Sequence, residues 1–409
     1  MHCSTRQFLF LVLIIGLVLM RESRVAPLAS IETAFATWLS VNAQRSPAPA
    51  PLAVVQITDE DLSATPWPWT PLDFSLFLNA ALPYQPPVVG IEPILSWSKP
   101  DAQQVSLLHN QLLKSPKVVL GSELGNPEDL SVLPALQEVP TLRHVKGDLS
   151  SLREFMLVER QPMEDLRLAG TLGFENLEES ASKPIQFVPL IFRYHGQVVP
   201  SFVLQAAMLW YGVTPDEVKV ICGSHIDLGK KIQIPIDAHG GFFVDFSIPM
   251  TRFSTGDLLL SVEQSQVGRK TVAPIAQLKN CFTLLARTDR EARTLRFANG
   301  QRGSRGELFA AALATLQNAE FVEHDADSNR HLMIELVIVM EALIVAWFFS
   351  RMSKLGTLMV ALLIFAGYML AALGAFSAWL VVFPFLLPAG LLAFIVLFRM
   401  LDREEAAKI

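Results

Sequence analysis

Leu52–Leu95, LAVVQITDEDLSATPWPWTPLDFSLFLNAALPYQPPVVGIEPIL, is the stretch whose reading decides the fold. Leu52–Ile57 is a short, continuous apolar run closed by turn residues, as expected of a parallel strand covered on both faces. Asp59, Glu60 and Asp61 read as an acidic turn, and Trp67, Pro68 and Trp69 as an aromatic-proline segment. Thr70 is placed as a helix N-cap, with Pro71 at the first helical position and Asp73 answering Thr70 as in a capping box. That predicts a helix over Pro71–Leu82, and Val88–Glu92 then reads as a second buried strand. The pieces make one βαβ unit.

Working outward, Phe8–Met20 is apolar without interruption, about 20 Å long as a helix, and is followed at once by Arg21 and Arg24 with no A-x-A cleavage site. It reads as a retained anchor within residues 1–30. Ile31–Val41 is a short amphipathic helix capped by Ser30, and Asn42–Pro51 a Pro/Ala linker. On the other side, Asp101–Ser115 has helical spacing, Lys117–Gly121 reads as a third parallel strand, and Asn126–Met163 as an irregular insertion. Phe187–Pro200 turns at His195-Gly196 as a hairpin, and Ser201–Tyr211 is a capped helix. A second hairpin is expected from Ile232–Asp237 and Gly241–Phe246, a buried strand over Cys281–Ala286, and a helix over Glu307–Glu320. The fold class is therefore α/β, a mainly parallel sheet with flanking helices and hairpins, plus α-helical transmembrane segments.

Three apolar segments close the chain, Leu332–Ser350, Leu355–Leu373 and Ala378–Phe398, each long enough to span a bilayer. Gly374-Ala375-Phe376-Ser377 reads as the loop between the last two. Arg351-Met352-Ser353-Lys354 and the tail bearing Arg399, Arg403 and Lys408 are basic, whereas Glu323–Asp327 is acidic. The positive-inside rule puts the basic loop and residues 401–409 in the cytoplasm, residues 330–400 in the membrane, and the domain over 31–325 outside. A hydrophobic fraction of 51% and a charged fraction of 18% agree with a multi-pass protein of the inner membrane. A net charge of −6 excludes an electrostatic footprint for nucleic acid. The three cysteines form no CxxC pair, and Cys222 and Cys281 read as free thiols that could pair outside the cytoplasm.

Residues 54–62, VVQITDEDL, then Trp67-Pro68-Trp69-Thr70 and Val88-Val89-Gly90-Ile91-Glu92 resemble the opening of the CHASE2 extracytoplasmic sensor domains of bacteria. Those begin with an apolar strand into an Asp-rich turn, a Trp-Pro-Trp-Pro-Arg segment, a helix, and a strand ending in Gly-hydrophobic-Asp. Here Thr70-Pro71 replaces the Arg and Glu92 the final Asp. Val188-Pro189-Leu190 to Pro200-Ser201 and Leu278–Phe282 extend the likeness over residues 31–323. The resemblance implies a sensor of an unidentified signal; no cofactor is expected, and an enzyme is disfavoured because no catalytic template is met. Since the sequence stops a few residues past the last span, it implies a sensor acting through a separate partner. The alternative is a non-catalytic envelope scaffold or assembly protein that keeps the fold.

Open α/β sheets bind ligands beyond the carboxyl ends of their strands. Asp59, Asp61, Trp67, Trp69 and Glu92 are therefore the candidate ligand-binding residues, each weighed against a structural role as cap, solvated turn or loop anchor. The catalytic templates fail: GSHIDLGKK at Gly223–Lys231 departs from a P-loop, and Gly303-Ser304-Arg305-Gly306 lacks the first glycine of a nucleophile elbow. His324, Asp325 and Asp327 read as a hydrated linker, so no metal site is expected. Within the first C-terminal span Glu341 would cost about 2.5–3.5 kcal/mol if it faced lipid, and Tyr368 is its nearest plausible donor. Glu341 thus points to a bundle contact, to a homo-oligomer, or to a membrane protein partner.

Overall fold

The computed structural model describes residues 26–127, 136–177, 184–322 and 353–401. The chain divides into two compact units, Ser46–Phe321 on one hand and Met1–Arg45 with Val322–Ile409 on the other.

The first unit is built on a seven-stranded sheet of β1 (Leu52–Ile57), β2 (Val89–Ile91), β3 (Val118–Gly125), β4 (Leu157–Arg160), β5 (Thr171–Phe174), β6 (Thr251–Ser254) and β7 (Phe282–Arg287). Their order is β6-β1-β7-β2-β3-β4, with β5 also paired to β3. Every pairing is parallel except β3 with β4. The βαβ unit is present, but its two strands are not neighbours, because β7 lies between them and pairs with both. Of the strands read as buried from sequence, β7 therefore holds a central place, and its run FTLLAR carries no signal of that beyond its apolarity.

The period-two alternation of β1 and β7 feeds two separate cores. Leu52 and Val54 of β1 join Phe282, Leu284 and Ala286 of β7 on one face, packed with residues such as Phe202 and Phe309. Ala53, Val55 and Ile57 join Leu285 on the other, packed with Phe74, Phe77 and Leu108. Continuous apolar strands are what such a doubly covered sheet requires.

Among the described residues, the α-helices longer than one turn are, in chain order, α1 (Ala26–Asn42), α2 (Asp59–Ala64), α3 (Pro71–Ala81), α4 (Ala102–Leu112), α5 (Phe202–Tyr211), α6 (Thr255–Gln266), α7 (Arg305–Asn318), α8 (Lys354–Trp379) and α9 (Leu386–Leu401), with α1, α8 and α9 in the second unit. Helix α2 replaces the expected acidic turn. Thr58 caps it and exchanges bonds with Asp61 in a capping box, so the carboxylates sit in the first turn where the helix dipole favours them. The box expected at Thr70 and Asp73 starts α3, and α4 and β3 fall where the sequence puts them.

The hairpin turning at His195-Gly196 pairs Ile191–Tyr194 with Gln197–Pro200. The second expected hairpin does not form. Ile232–Pro235 pairs with His225–Leu228, and Gly241–Phe243 pairs with Phe187–Pro189. Asp237 and Gly241 make only a local turn, because Ile232–Pro235 pairs with the strand just before it across residues 229–231, and Gly241–Phe243 finds a distant partner.

In the second unit, α8 is 26 residues long and contains an 18-residue window with a mean hydropathy of 2.3. At about 39 Å it exceeds the hydrocarbon thickness of a bilayer. It continues through Gly374–Ser377, so no loop falls there, and it ends at Leu380 in the left-handed region. Residues 381–385 are not helical and α9 begins only at Leu386, so the segment expected over Ala378–Phe398 is a break followed by a 16-residue helix. Pro384 explains the break, since the residue before a proline disfavours helical backbone. Among the described residues, α8 alone is long and apolar enough to cross a membrane. Phe8–Met20 and Leu332–Ser350, with Glu341, lie outside the described residues.

The entry to α9 is held from α1. The Glu32 carboxylate accepts the backbone N–H of Phe385 (2.9 Å) and of Leu386 (2.8 Å), and Phe35 stacks on Phe385 at 4.7 Å between ring centroids. Tyr368 donates its hydroxyl to the carbonyl of Pro384.

Candidate functional site

The parallel strands end together, and their ends carry the charge of the molecule's interior. Glu92 follows β2, Glu123 lies in β3, Glu175 follows β5, and Arg287 closes β7. Across this edge stands α7, whose N-cap Ser304 forms a capping box with Glu307 and so fixes Arg305 at the first helical position.

Arg305 is the hub. Its Nε lies 3.4 Å from Glu92 Oε1 and 3.5 Å from Glu175 Oε2, and its Nη1 donates to Glu123 Oε1. Glu123 also receives Arg160 Nη1 at 3.3 Å. Glu92 binds twice, because its Oε2 accepts the backbone N–H of Arg287 at 3.1 Å. Glu175 is fully buried and neither of its oxygens has a hydrogen-bond partner, and the same is true of the neighbouring Ser122 hydroxyl. Its carboxylate occupies the room that a side chain at position 121 would need: a Cβ on Gly121 would stand 2.1 Å from Glu175 Oε1 and 2.4 Å from the carbonyl oxygen of Glu92. Gly121 is therefore required by close approach.

Burial dominates the protonation of this cluster. It pushes the Glu175 carboxyl well above the usual carboxylate range; Arg305 pulls it down, while Glu92 and Glu123 push it further up. Burial likewise raises Glu92, against the pull of Arg305 and Arg287. Burial works against the charge of Arg305, but Glu175, Glu92 and Glu123 outweigh it and hold the guanidinium charged.

A cleft of about 590 Å³ opens beside Arg305 and Glu123. Its wall includes Arg153, Phe155, Glu159, Asn126 and Asn176. The Arg153 guanidinium lies 4.9 Å from the Phe155 ring centroid and donates to the Leu177 carbonyl at 3.1 Å. Both amide side chains serve the main chain: Asn176 exchanges two bonds with Leu124, and Asn126 bonds Met156 N–H and the Glu154 carbonyl.

A model of the CHASE2 domain matches residues 9–352 of this chain. The chain belongs to the CHASE2 domain family. CHASE2 domains are extracytoplasmic sensor domains, a sensory family that is generally non-catalytic. No curated protein and no solved structure matches.

Within this CHASE2 domain the candidate residues read from sequence reach the same sheet edge but do different things. Glu92 enters the Arg305 cluster. Asp61 gives one oxygen to Thr58 and the other to the backbone N–H of Gly256 at 2.8 Å, and Asp59 accepts the backbone N–H of Arg290 at 3.1 Å. Both thus fasten backbone. Trp67 is a platform for Arg287, whose guanidinium lies 4.6 Å from its ring centroid and forks onto the buried Asp289. Trp69 is buried edge-on to Phe74 and donates to the Thr65 carbonyl.

Arg305, Glu123 and Glu175 escape a reading by sequence because they come from three separated segments. A signal for one was present: Ser304-Arg305-Gly306-Glu307 is a capping-box pattern that starts the helix two residues before Glu307 and puts Arg305 in its first turn. Glu175 had none, since only the register of β5 on β3 buries it.

Proposed function

We propose that this CHASE2 chain is a multi-pass protein of the inner membrane that senses a small molecule at the cleft beside Arg305 and passes the reading to a separate membrane partner. The observation that supports it is the position of Arg305, which forms part of the cleft wall and at the same time binds carboxylates at the ends of β2, β3 and β5. A ligand that engages Glu123 or Arg305 changes the balance of a charge cluster tying three strands to one helix. Such a cluster responds to local chemistry and distributes the response through rigid elements. Helix α8 supports membrane attachment, and the basic residues flanking the C-terminal segments support an outward-facing domain.

The test is the thermal stability of the full chain in lipid nanodiscs against a panel of metabolites and ions. The sensor reading predicts at least one compound that raises the unfolding temperature, with the effect lost in Arg305→Met. A flat response together with purification in a stable membrane complex would instead identify an envelope scaffold.

A further inference from the structure

Resting on the sensor reading, we propose that the cleft takes a small zwitterion of the amino-acid class, its ammonium on Glu159 and its carboxylate on Arg153. The inference comes from which charges in the cleft are already committed. Arg305 is surrounded by Glu92, Glu123 and Glu175, so it has little to offer an incoming anion. Glu159 is different. It is exposed and its carboxylate has no ion pair or hydrogen bond among the described residues, yet it lies in the cleft wall over Gly125, where a Cβ would stand 2.6 Å from Glu159 Oε2. The bare backbone at position 125 leaves the space that this carboxylate uses.

Arg153 is its counterpart. It is exposed and has no carboxylate partner among the described residues; it rests on the Phe155 ring and donates an N–H to the Leu177 carbonyl. A guanidinium seated on an aromatic face is oriented for a bidentate carboxylate. The amides of Asn126 and Asn176 each bind main chain through both the oxygen and the nitrogen, which fixes them as parts of the wall. Among the described residues, the cleft therefore offers one unpaired anion, Glu159, and one cation without a carboxylate partner, Arg153. A ligand of single charge would satisfy one and leave the other facing it; a zwitterion satisfies both, with charge-assisted bonds at each end.

The experiment measures binding of the twenty common L-amino acids to the full chain in nanodiscs, each beside its decarboxylated amine and its des-amino acid. The expected result is an amino acid whose amine and des-amino analogues bind at least about tenfold more weakly. Glu159→Gln then weakens the amino acid and its amine but not the des-amino acid, and Arg153→Gln does the reverse. Both side chains are exposed, so both variants should keep the unfolding temperature of the parent chain. Equal binding of either analogue, or unchanged affinity in both variants, overturns the proposal, as does the absence of binding by every amino acid. If a compound of another class from the metabolite panel raises the unfolding temperature in that last case, the zwitterion fails while the sensor stands. If nothing does, both fail.

Discussion

Glu175 is the residue where physical chemistry is most exposed to test. Its pKa is raised in the folded chain by burial, so it holds a proton more tightly folded than unfolded. Its contribution to stability is therefore full below the ordinary glutamate range and is lost as pH rises from there through the folded value. Within that window the slope is about 1.4 kcal/mol per pH unit for one such group. Glutamine keeps the shape of the neutral acid. Relative to wild type, Glu175→Gln should be near neutral at pH 4.5 and increasingly stabilising as pH rises, read from thermal unfolding between pH 4.5 and 9. A difference that stays constant with pH would show that Glu175 is ionised in the folded chain. Nothing in Leu172-Gly173-Phe174-Glu175 announces this, because its neighbour in sequence is a strand and its partner, Arg305, is 130 positions away.

Among the elements, α7 and α9 are each held by a charged side chain at their first turn. Removing Arg305 leaves buried carboxylates without their cation, and Arg305→Met should cost about 3–5 kcal/mol at neutral pH. The deficit should shrink toward acid pH as Glu92, whose pKa burial raises, takes up a proton, which separates it from a simple packing loss. Glu32 does the converse service for α9, accepting N–H groups that no helical carbonyl can reach. Glu32→Ala should weaken this entry by about 0.5–2 kcal/mol, with Glu32→Gln retaining much of it. Faster backbone exchange at Phe385 and Leu386 in the alanine variant would be the readout, and unchanged exchange would contradict it. Local signals made much of this level readable. The Thr70 capping box, the period of α4 and the His195-Gly196 turn act within a few residues, and they form where the sequence puts them. Pairing between distant strands does not act within a few residues. Ile232–Pro235 pairs with the strand just before it, while the partner of Gly241–Phe243 lies more than 50 positions away, so one plausible local hairpin lost to another local one and to a distant pairing that only the collapsed core selects.

At the scale of the whole molecule, the α/β class and its mainly parallel sheet were legible, because continuous apolar strands alternating with capped helices admit few other solutions. The insertion of β7 between β1 and β2 was not, since chain order leaves the order of parallel strands open. The same insertion brings Arg287 beside Glu92, linking the Trp67 platform to the Arg305 cluster, so what sequence left open is also what assembles the site. The central claim is that this site is a sensor facing out of the cell. Glu159 lines the cleft and is exposed, which makes it the natural probe. In a chain with Cys3, Cys222 and Cys281 changed to serine, Glu159→Cys should react with a membrane-impermeant thiol reagent in intact spheroplasts, while Ala407→Cys should react only after the membrane is opened. Labelling of Glu159→Cys only after opening would place the cleft in the cytoplasm and contradict the account.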